Sequence, residues 1–227
     1  MGLIYDSSES SALMSALKSN LTSSKEAVQQ LKSGSQKVVS AVDGHQLSGA
    51  AYTAGKGLFS ELIIPTITRT TNAIEQIEQE LQKYQNADKI VASEGELNED
   101  KLNQQIRVTQ AMKRSVDETS SFIHAQTRSN SLASVLETLF NVQRHLDRIS
   151  ESFQQDIDRL QKQLRKLHNF NEQTHHLFSN SINELKLAMQ GVLTLNNTTV
   201  NKDGSYSLPK GTDKSYFTEI KKTLKMK

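Results

Sequence analysis

The stretch SSALMSALKSNLTSSKEAVQQLKSGSQKVVSAV, residues 10–42, decides the fold. Its positions 10, 14, 17, 21, 24, 28, 31, 35, 38 and 42 alternate steps of four and three, which is the spacing of a heptad seam on one face of a helix. Three of these positions, Ser10, Ser24 and Ser35, are serine. The seam is therefore narrow and weakly apolar, and this helix requires a close helical partner.

The partner helix is predicted directly after a short turn. Asp43 and Gly44 indicate the end of the first helix, since glycine tolerates the left-handed conformation that ends helices. The apolar spacing continues into a second helix over about 47–91, and two helices joined by a short turn lie antiparallel. Pro65, inside this second helix, predicts a bend or a short break that the helix survives.

Three further helices are predicted beyond residue 98. The first of them has Asn98 as its N-cap, and the next has the most regular apolar face, over 132–167. The segment HNFNEQ, residues 168–173, suggests a corner, and the last helix is expected to end near Gly191. LNNTTVNKDGSYSLPKG, residues 195–211, then predicts a small hairpin. The fold class is all-α, an elongated bundle of long helices with a small C-terminal hairpin.

Composition excludes several classes of function. The net charge is +2, and residues 201–227 hold seven lysines and three acids, a local +4 that leaves the remainder at −2. A basic, aromatic-lined face for nucleic acid is therefore not indicated. No apolar run is long enough for a membrane span, and no standard signal peptide opens the chain. The absence of cysteine excludes disulfides.

No motif indicates catalysis or metal binding. The six histidines do not converge; His175 and His176, for example, are adjacent and so point to different faces of a helix. GAAYTAGKG, residues 49–57, is rich in glycine but lacks the spacing of a phosphate-binding loop. We therefore expect no enzyme activity, no cofactor and no metal site.

Three blocks of sequence carry a resemblance. They are LSG at 47–49 followed by AAYTAGKGLF and IIPTI, MGLIYDSSESSALMSAL at 1–17, and YQNADKIVASEGELNEDKLNQQI at 84–106. In this order they resemble the LXG domain, the N-terminal module of polymorphic toxins that Gram-positive bacteria export by type VII secretion. The resemblance covers about residues 1–195 and is stronger in the first half.

The resemblance implies a leaderless protein that is secreted after a cytoplasmic stage. Its N-terminal hairpin would resemble the small WXG-type secreted proteins, with Leu47, Ser48 and Gly49 standing where Trp-any-Gly occurs in those. The implied partners are small helical targeting factors encoded nearby, the type VII apparatus and, through the full-length protein, a toxin domain and an immunity protein. The implied domains are a targeting domain at 1–195, with its hairpin at about 7–91 and further helices at about 98–192, and a hairpin or linker at 196–227.

The candidate site has two parts. The export motif comprises Leu47, Ser48 and Gly49 together with Tyr84 and Asp88, which fit a Tyr-any-any-any-Asp signal of type VII substrates. Alternatively, Tyr84 is an ordinary seam residue and Asp88 a surface acid. Gly49 is expected to let backbones, or an export receptor, come closer than a Cβ permits, and alanine there is expected to favour the helix slightly by removing the flexibility of glycine. The predicted partner-binding seam consists of Met14, Leu17, Leu21, Val28, Leu31, Val38, Leu58 and Leu62.

A second function remains open at this point. Heptad seams with polar interruptions also suit a coiled-coil scaffold that associates with copies of itself.

Overall fold

The structure, a computed structural model, describes residues 2–46, 49–129, 133–201 and 205–212. It is 85% helical, which confirms the all-α class and the long helices. In chain order the elements are β1 (Ile4–Asp6), α1 (Ser7–Asp43), α2 (Ala50–Leu58), a π-helical turn (Phe59–Ile63), α3 (Ile64–Val91), a 3₁₀ turn (Ala92–Glu94), β2 (Glu96–Asn98), α4 (Glu99–Ser129), α5 (Ala133–Thr174), α6 (Ser179–Asn196), β3 (Thr199–Val200) and β4 (Tyr206–Ser207).

Two side chains fix the starts of α1 and α4. Asp6 accepts hydrogen bonds from the N–H groups of Ser8, at 2.8 Å, and Glu9, at 3.1 Å. Together with the Ser8 hydroxyl, the largest influence, these donors hold the pKa of Asp6 below its usual value. The predicted cap of α4 is confirmed, because Asn98 Oδ1 accepts from the N–H of Lys101 at 3.0 Å.

The helix around Pro65 carries a π-helical turn directly before the proline. The N–H of Ile64 donates to the carbonyl of Phe59, five residues back. Proline lacks an N–H and its ring crowds the carbonyl four residues earlier, so a wider turn at this point relieves the clash. The predicted irregularity is confirmed, and the helix continues through it to Val91.

The end of α1 differs from the sequence prediction. Gln46 donates to the carbonyl of Ala41 and His45 donates to that of Val42, at 3.1 and 3.2 Å, which is the Schellman arrangement. The left-handed residue is His45, with φ of 56°, and not Gly44. The expectation that Gly44 supplies this conformation is therefore wrong. The left-handed residue of this turn therefore lies one position later in the chain than the sequence indicates.

The chain divides into two compact units. The first joins residues 1–12 to residues 86–175. In it β1 pairs antiparallel with β2, and Tyr5 lies opposite Leu97. The Tyr5 ring packs edge-on against Phe170, with centroids 5.0 Å apart. The core around Tyr5 consists of Val91, Leu97, Leu102, Ile106, Leu160 and Leu167.

Polar contacts also hold this first unit together. Glu94, at the 3₁₀ turn, accepts hydrogen bonds from Lys166 and Gln163 of α5. These bonds lower the pKa of Glu94, and the bond from Lys166 has the largest influence. Along the antiparallel pair α4 and α5, Ser150 donates to Asp117, and Gln143 lies 3.3 Å from His124.

The second unit comprises residues 13–85 and 176–227. Lys25 pairs with Glu78 of α3 and Asp43 pairs with Lys56 of α2, so α1 runs antiparallel to the α2 and α3 segments of this unit, as predicted. Its buried core consists of Leu21, Ile74, Ile77 and Leu81, against which Met14, Leu17, Val28, Phe178 and Leu185 pack.

Two predicted boundaries near α6 are wrong. The supposed corner at 168–173 is helical, because α5 continues to Thr174 and Phe170 packs on the core. The turn lies at 175–178 instead and ends at Phe178, with φ of 71°. Gly191 is buried inside α6, which continues to Asn196. The predicted C-terminal hairpin is confirmed as β3 and β4; its Lys-Asp-Gly turn lies outside the described residues.

Replacing His45 by glycine should stabilise the turn after α1. Glycine adopts φ of 56° without a Cβ clash, so His45→Gly should raise the free energy of unfolding by about 1 kcal/mol. Urea denaturation followed by circular dichroism measures this. His45→Ala is the control, because it removes the imidazole and keeps the Cβ. An equal gain in both variants would attribute the effect to the ring and contradict the backbone explanation.

Candidate functional site

The turn between α1 and α2 is where the predicted motif begins. An ion pair between Asp43 and Lys56 lies across it. Gly49 is the N-cap residue of α2, and its carbonyl accepts hydrogen bonds from the N–H groups of Tyr52 and Thr53, each at 3.1 Å. Leu47 and Ser48, the first two residues of the motif, lie outside the described residues.

Gly49 is required by its backbone angle. Its φ is 114°, a conformation that residues with a Cβ rarely adopt. A Cβ built at Gly49 would meet no described atom outside its chain neighbours within 4 Å. The expectation of close backbone approach is therefore wrong for the described part of the chain. The expected gain from alanine is wrong as well, since alanine would be strained at this φ.

One small residue of α2, Gly57, lies beside β4. A Cβ on Gly57 would be 3.8 Å from Cε1 of Tyr206, which belongs to β4. The Tyr206 hydroxyl donates to Oε2 of Glu61 in the π-helical turn, at 2.6 Å. Burial, and then this hydrogen bond, raise the pKa of Tyr206 to about 12. Sequence analysis predicted the hairpin but missed its attachment to α2, because no local spacing relates residues so far apart.

Most of the predicted seam lies inside the second unit. Leu21 belongs to the buried core, and Leu62, in the π-helical turn, is buried too. Met14, Leu17 and Val28 are half-buried against the core, and Leu58 is half-buried. These side chains stabilise the chain's own hairpin.

Leu31 and Val38 remain exposed, by 59% and 36%. They are seven residues apart on α1, and exposed Ala27 and Gly34 continue the same helical face. A Cβ built on Gly34 would meet nothing within 4 Å among the described residues. Ala27, Leu31, Gly34 and Val38 form what we call the exposed α1 strip.

Tyr84 is half-buried near the start of α6. Its ring centroid lies 6.4 Å from that of Phe178. Phe178 is fixed in turn by its N–H, which donates to Oε2 of Glu80 at 3.0 Å, and the Ser181 hydroxyl donates to the same oxygen. The contact between Tyr84 and Phe178 could not be read from the sequence, because the expected corner lay elsewhere.

Asp88 lies in the core of the first unit and is only 7% exposed. Its Oδ1 accepts hydrogen bonds from the Tyr5 hydroxyl, at 2.8 Å, and from the Ser10 hydroxyl. The alternative reading of Asp88 as a surface acid is therefore wrong. Sequence analysis missed Tyr5 and Ser10 as partners of Asp88; Ser10 appeared there only as a weak position of the seam.

Two further kinds of feature are absent from the described residues. Among them, no group of three or more His, Asp or Glu side chains could hold a metal ion. No helix of the described chain is long and apolar enough to cross a membrane.

The hydrogen bond between Tyr5 and Asp88 should be measurable by a double-mutant cycle. Tyr5→Phe removes one donor from a buried carboxylate and should cost about 1.5–3 kcal/mol of unfolding free energy. In the background of Asp88→Asn the same change should cost at least about 1 kcal/mol less. Tyr52→Phe, an exposed tyrosine, is the control and should stay within about 0.5 kcal/mol of wild type. Equal costs of Tyr5→Phe in both backgrounds would refute the coupling.

Comparison with known proteins gives one family. The family model for the LXG domain of the WXG superfamily matches residues 4–207. No curated protein and no solved structure matched the chain. The LXG domain is a module related to type VII secretion targeting and not a catalytic domain. The match begins in β1 and ends in β4, so it includes both strand pairs and every helix described above. The chain therefore belongs to the LXG family.

Proposed function

We propose that this chain is the targeting module of a type VII-secreted toxin and that it binds small helical targeting factors. The observation that carries the proposal is the exposed α1 strip. Leu31 and Val38 keep heptad spacing but are not buried by the described chain. Apolar residues at this spacing are the anchors that a second amphipathic helix needs.

The small residues of the strip support a helical partner. Ala27 and Gly34 are also seven residues apart, on the same face as the two anchors. Small side chains allow a partner helix to approach the α1 backbone closely, so that Leu31 and Val38 become buried between the two helices. A helix from a small protein fits such a strip better than a globular surface does.

The proposed export signal combines the turn with two residues of α3. Leu47, Ser48 and Gly49 form its first part, and Tyr84 and Asp88 its second. In this proposal Gly49 and Asp88 set the backbone and the packing around the signal and are not themselves recognised. Gly49 does so through its φ, and Asp88 through its hydrogen bonds with Tyr5 and Ser10. Leu47 and Tyr84 are then the side chains assigned to recognition by the type VII apparatus.

The remaining assignments follow from this role. Residues 1–195 act as the targeting domain, and residues 196–227 lead toward a toxin domain. The immunity protein is a partner of the full-length protein through that toxin domain. The protein is exported without a cleaved leader, after a cytoplasmic stage, and serves competition between bacteria. The module itself does no catalysis.

Charge placed on the exposed α1 strip should abolish partner binding. The test is to co-express the chain with the small helical proteins encoded beside its gene and to measure complex formation by light scattering and calorimetry. Leu31→Glu with Val38→Glu should weaken binding at least about 100-fold, because two carboxylates would be buried without partners.

A matched control uses the same helix. Gln29→Glu with Gln36→Glu adds the same charge at the same spacing, but these residues line the groove on the other side of α1. This variant should bind within about threefold of wild type. Wild-type affinity of the Leu31 and Val38 variant would overturn the proposal.

The export motif is tested separately. Leu47→Ala should leave the helical content and melting temperature of the protein unchanged, while the secreted fraction of the full-length protein falls at least about tenfold. Leu13→Ala is the control, because it truncates an exposed leucine of α1 outside the motif. Normal secretion of a folded Leu47→Ala protein would show that this residue is not part of the signal.

A further inference from the structure

The helix α2 is weak by itself. It has nine residues, Gly55 and Gly57 lie inside it, and Gly49 precedes it as the N-cap. Glycine lowers helix stability, and helices as short as this one are not stable alone in water. Of the α2 side chains that the structure describes, only that of Ala54 is buried. Contacts from other segments of the second unit are therefore needed to keep α2 helical.

Tyr206 of β4 contacts α2 where the type of helix changes. Its ring lies beside Gly57, and its hydroxyl donates to Oε2 of Glu61 at 2.6 Å. Gly57 and Glu61 lie on either side of Phe59, where α-helical hydrogen bonding gives way to π-helical bonding. One side chain therefore bridges the end of α2 and the π-helical turn that follows it.

The hairpin that carries Tyr206 is attached to α6. Just after this helix, the Thr198 hydroxyl donates to the carbonyl of Thr194 at 2.9 Å. The strand β3 begins at the next residue and pairs with β4. The helix α6 itself packs through Leu185 on the core of the second unit. The hairpin thus reaches α2 from a helix that the core holds in place.

The contact between the hairpin and α2 lies near the surface of the unit. Tyr206 is half-buried, and Glu61 is exposed. The described core around Ile74 and Ile77 does not include Tyr206. Surface contacts of this kind open at a lower free energy than the core does. Opening of the hairpin therefore releases α2 and leaves this core in place.

We propose that the hairpin β3–β4 is a clip that keeps α2 helical and so presents the export motif, with Tyr206 and Glu61 as positioning residues. The inference rests on the proposed export signal, whose first part, Leu47 to Gly49, directly precedes α2. Gly49 has its φ of 114° as the N-cap of α2. When α2 unfolds, Gly49 loses the helix that fixes its backbone. Opening the clip therefore weakens export, although Tyr206 itself is not recognised.

Hydrogen exchange of the purified 227-residue chain tests the clip without any export. Tyr206→Ala removes both contacts and should accelerate exchange of the α2 amides at least about tenfold. The control is Thr199→Ala, which truncates an exposed residue on the other face of the hairpin and should change this exchange by less than about twofold. Exchange of α2 at the wild-type rate in Tyr206→Ala would overturn the proposal.

A second substitution separates positioning from general damage to the fold. Gly55→Ala raises the helix propensity of α2, and a Cβ at Gly55 would meet no described atom beyond its neighbours in the helix within 4 Å. Tyr206→Ala should lower the secreted fraction of the full-length protein at least about fivefold, because fewer molecules present the motif. Adding Gly55→Ala should restore most of this secretion together with slow α2 exchange.

The matched control for this rescue is Ser19→Ala, which raises helix propensity at an exposed position of α1 and should restore neither secretion nor slow exchange. Fast α2 exchange in Tyr206→Ala with wild-type secretion would overturn the positioning role. So would Gly55→Ala if it restored slow exchange but not secretion. Normal secretion of Leu47→Ala would instead overturn the export signal, while fast α2 exchange in Tyr206→Ala would still support the clip.

Discussion

The constraint on which this structure depends is the narrowness of its apolar seams. Each long helix carries one row of apolar residues interrupted by polar ones, and such a helix is not stable alone. Burial therefore requires pairing of helices along their length. In the second unit α1 and α3 bury Leu21, Ile74 and Ile77 between them, and α6 adds Leu185. Leu31 and Val38 lie on a face of α1 outside this pairing and remain exposed.

Hydroxyl groups that bind carboxylates compensate for the scarcity of bulky residues. Tyr5 and Ser10 bind Asp88, Ser181 binds Glu80, and Tyr206 binds Glu61. Each of these pairs joins segments that are distant in sequence. Asp88 is buried, and a buried carboxylate without its donors would be costly, so its contacts with Tyr5 and Ser10 favour one register over the neighbouring ones. The serines that weaken an apolar seam can therefore specify how the helices meet.

Membership of the LXG family places the hairpin and its turn in a module for secretion targeting. Two residues of the proposed export motif have a structural role in the fold. Gly49 is fixed by a positive φ, and Asp88 is buried under β1. Substitutions at either position disturb the fold itself, so a loss of export after changing them would not identify a contact.

The sequence by itself determined the helical class, the N-cap at Asn98, the irregularity at Pro65 and the C-terminal hairpin, because each depends on local periodicity or on the backbone chemistry of one residue. It also carried the family resemblance. Only the tertiary structure decided that Asp88 is buried, that Tyr206 lies on Gly57 and that α5 continues past residue 168. These features depend on contacts between residues far apart in the chain, and heptad spacing indicates which face is apolar without indicating what covers it. The left-handed residue at His45 likewise follows from the hydrogen bonds that close the turn, which outweigh the intrinsic preference for glycine.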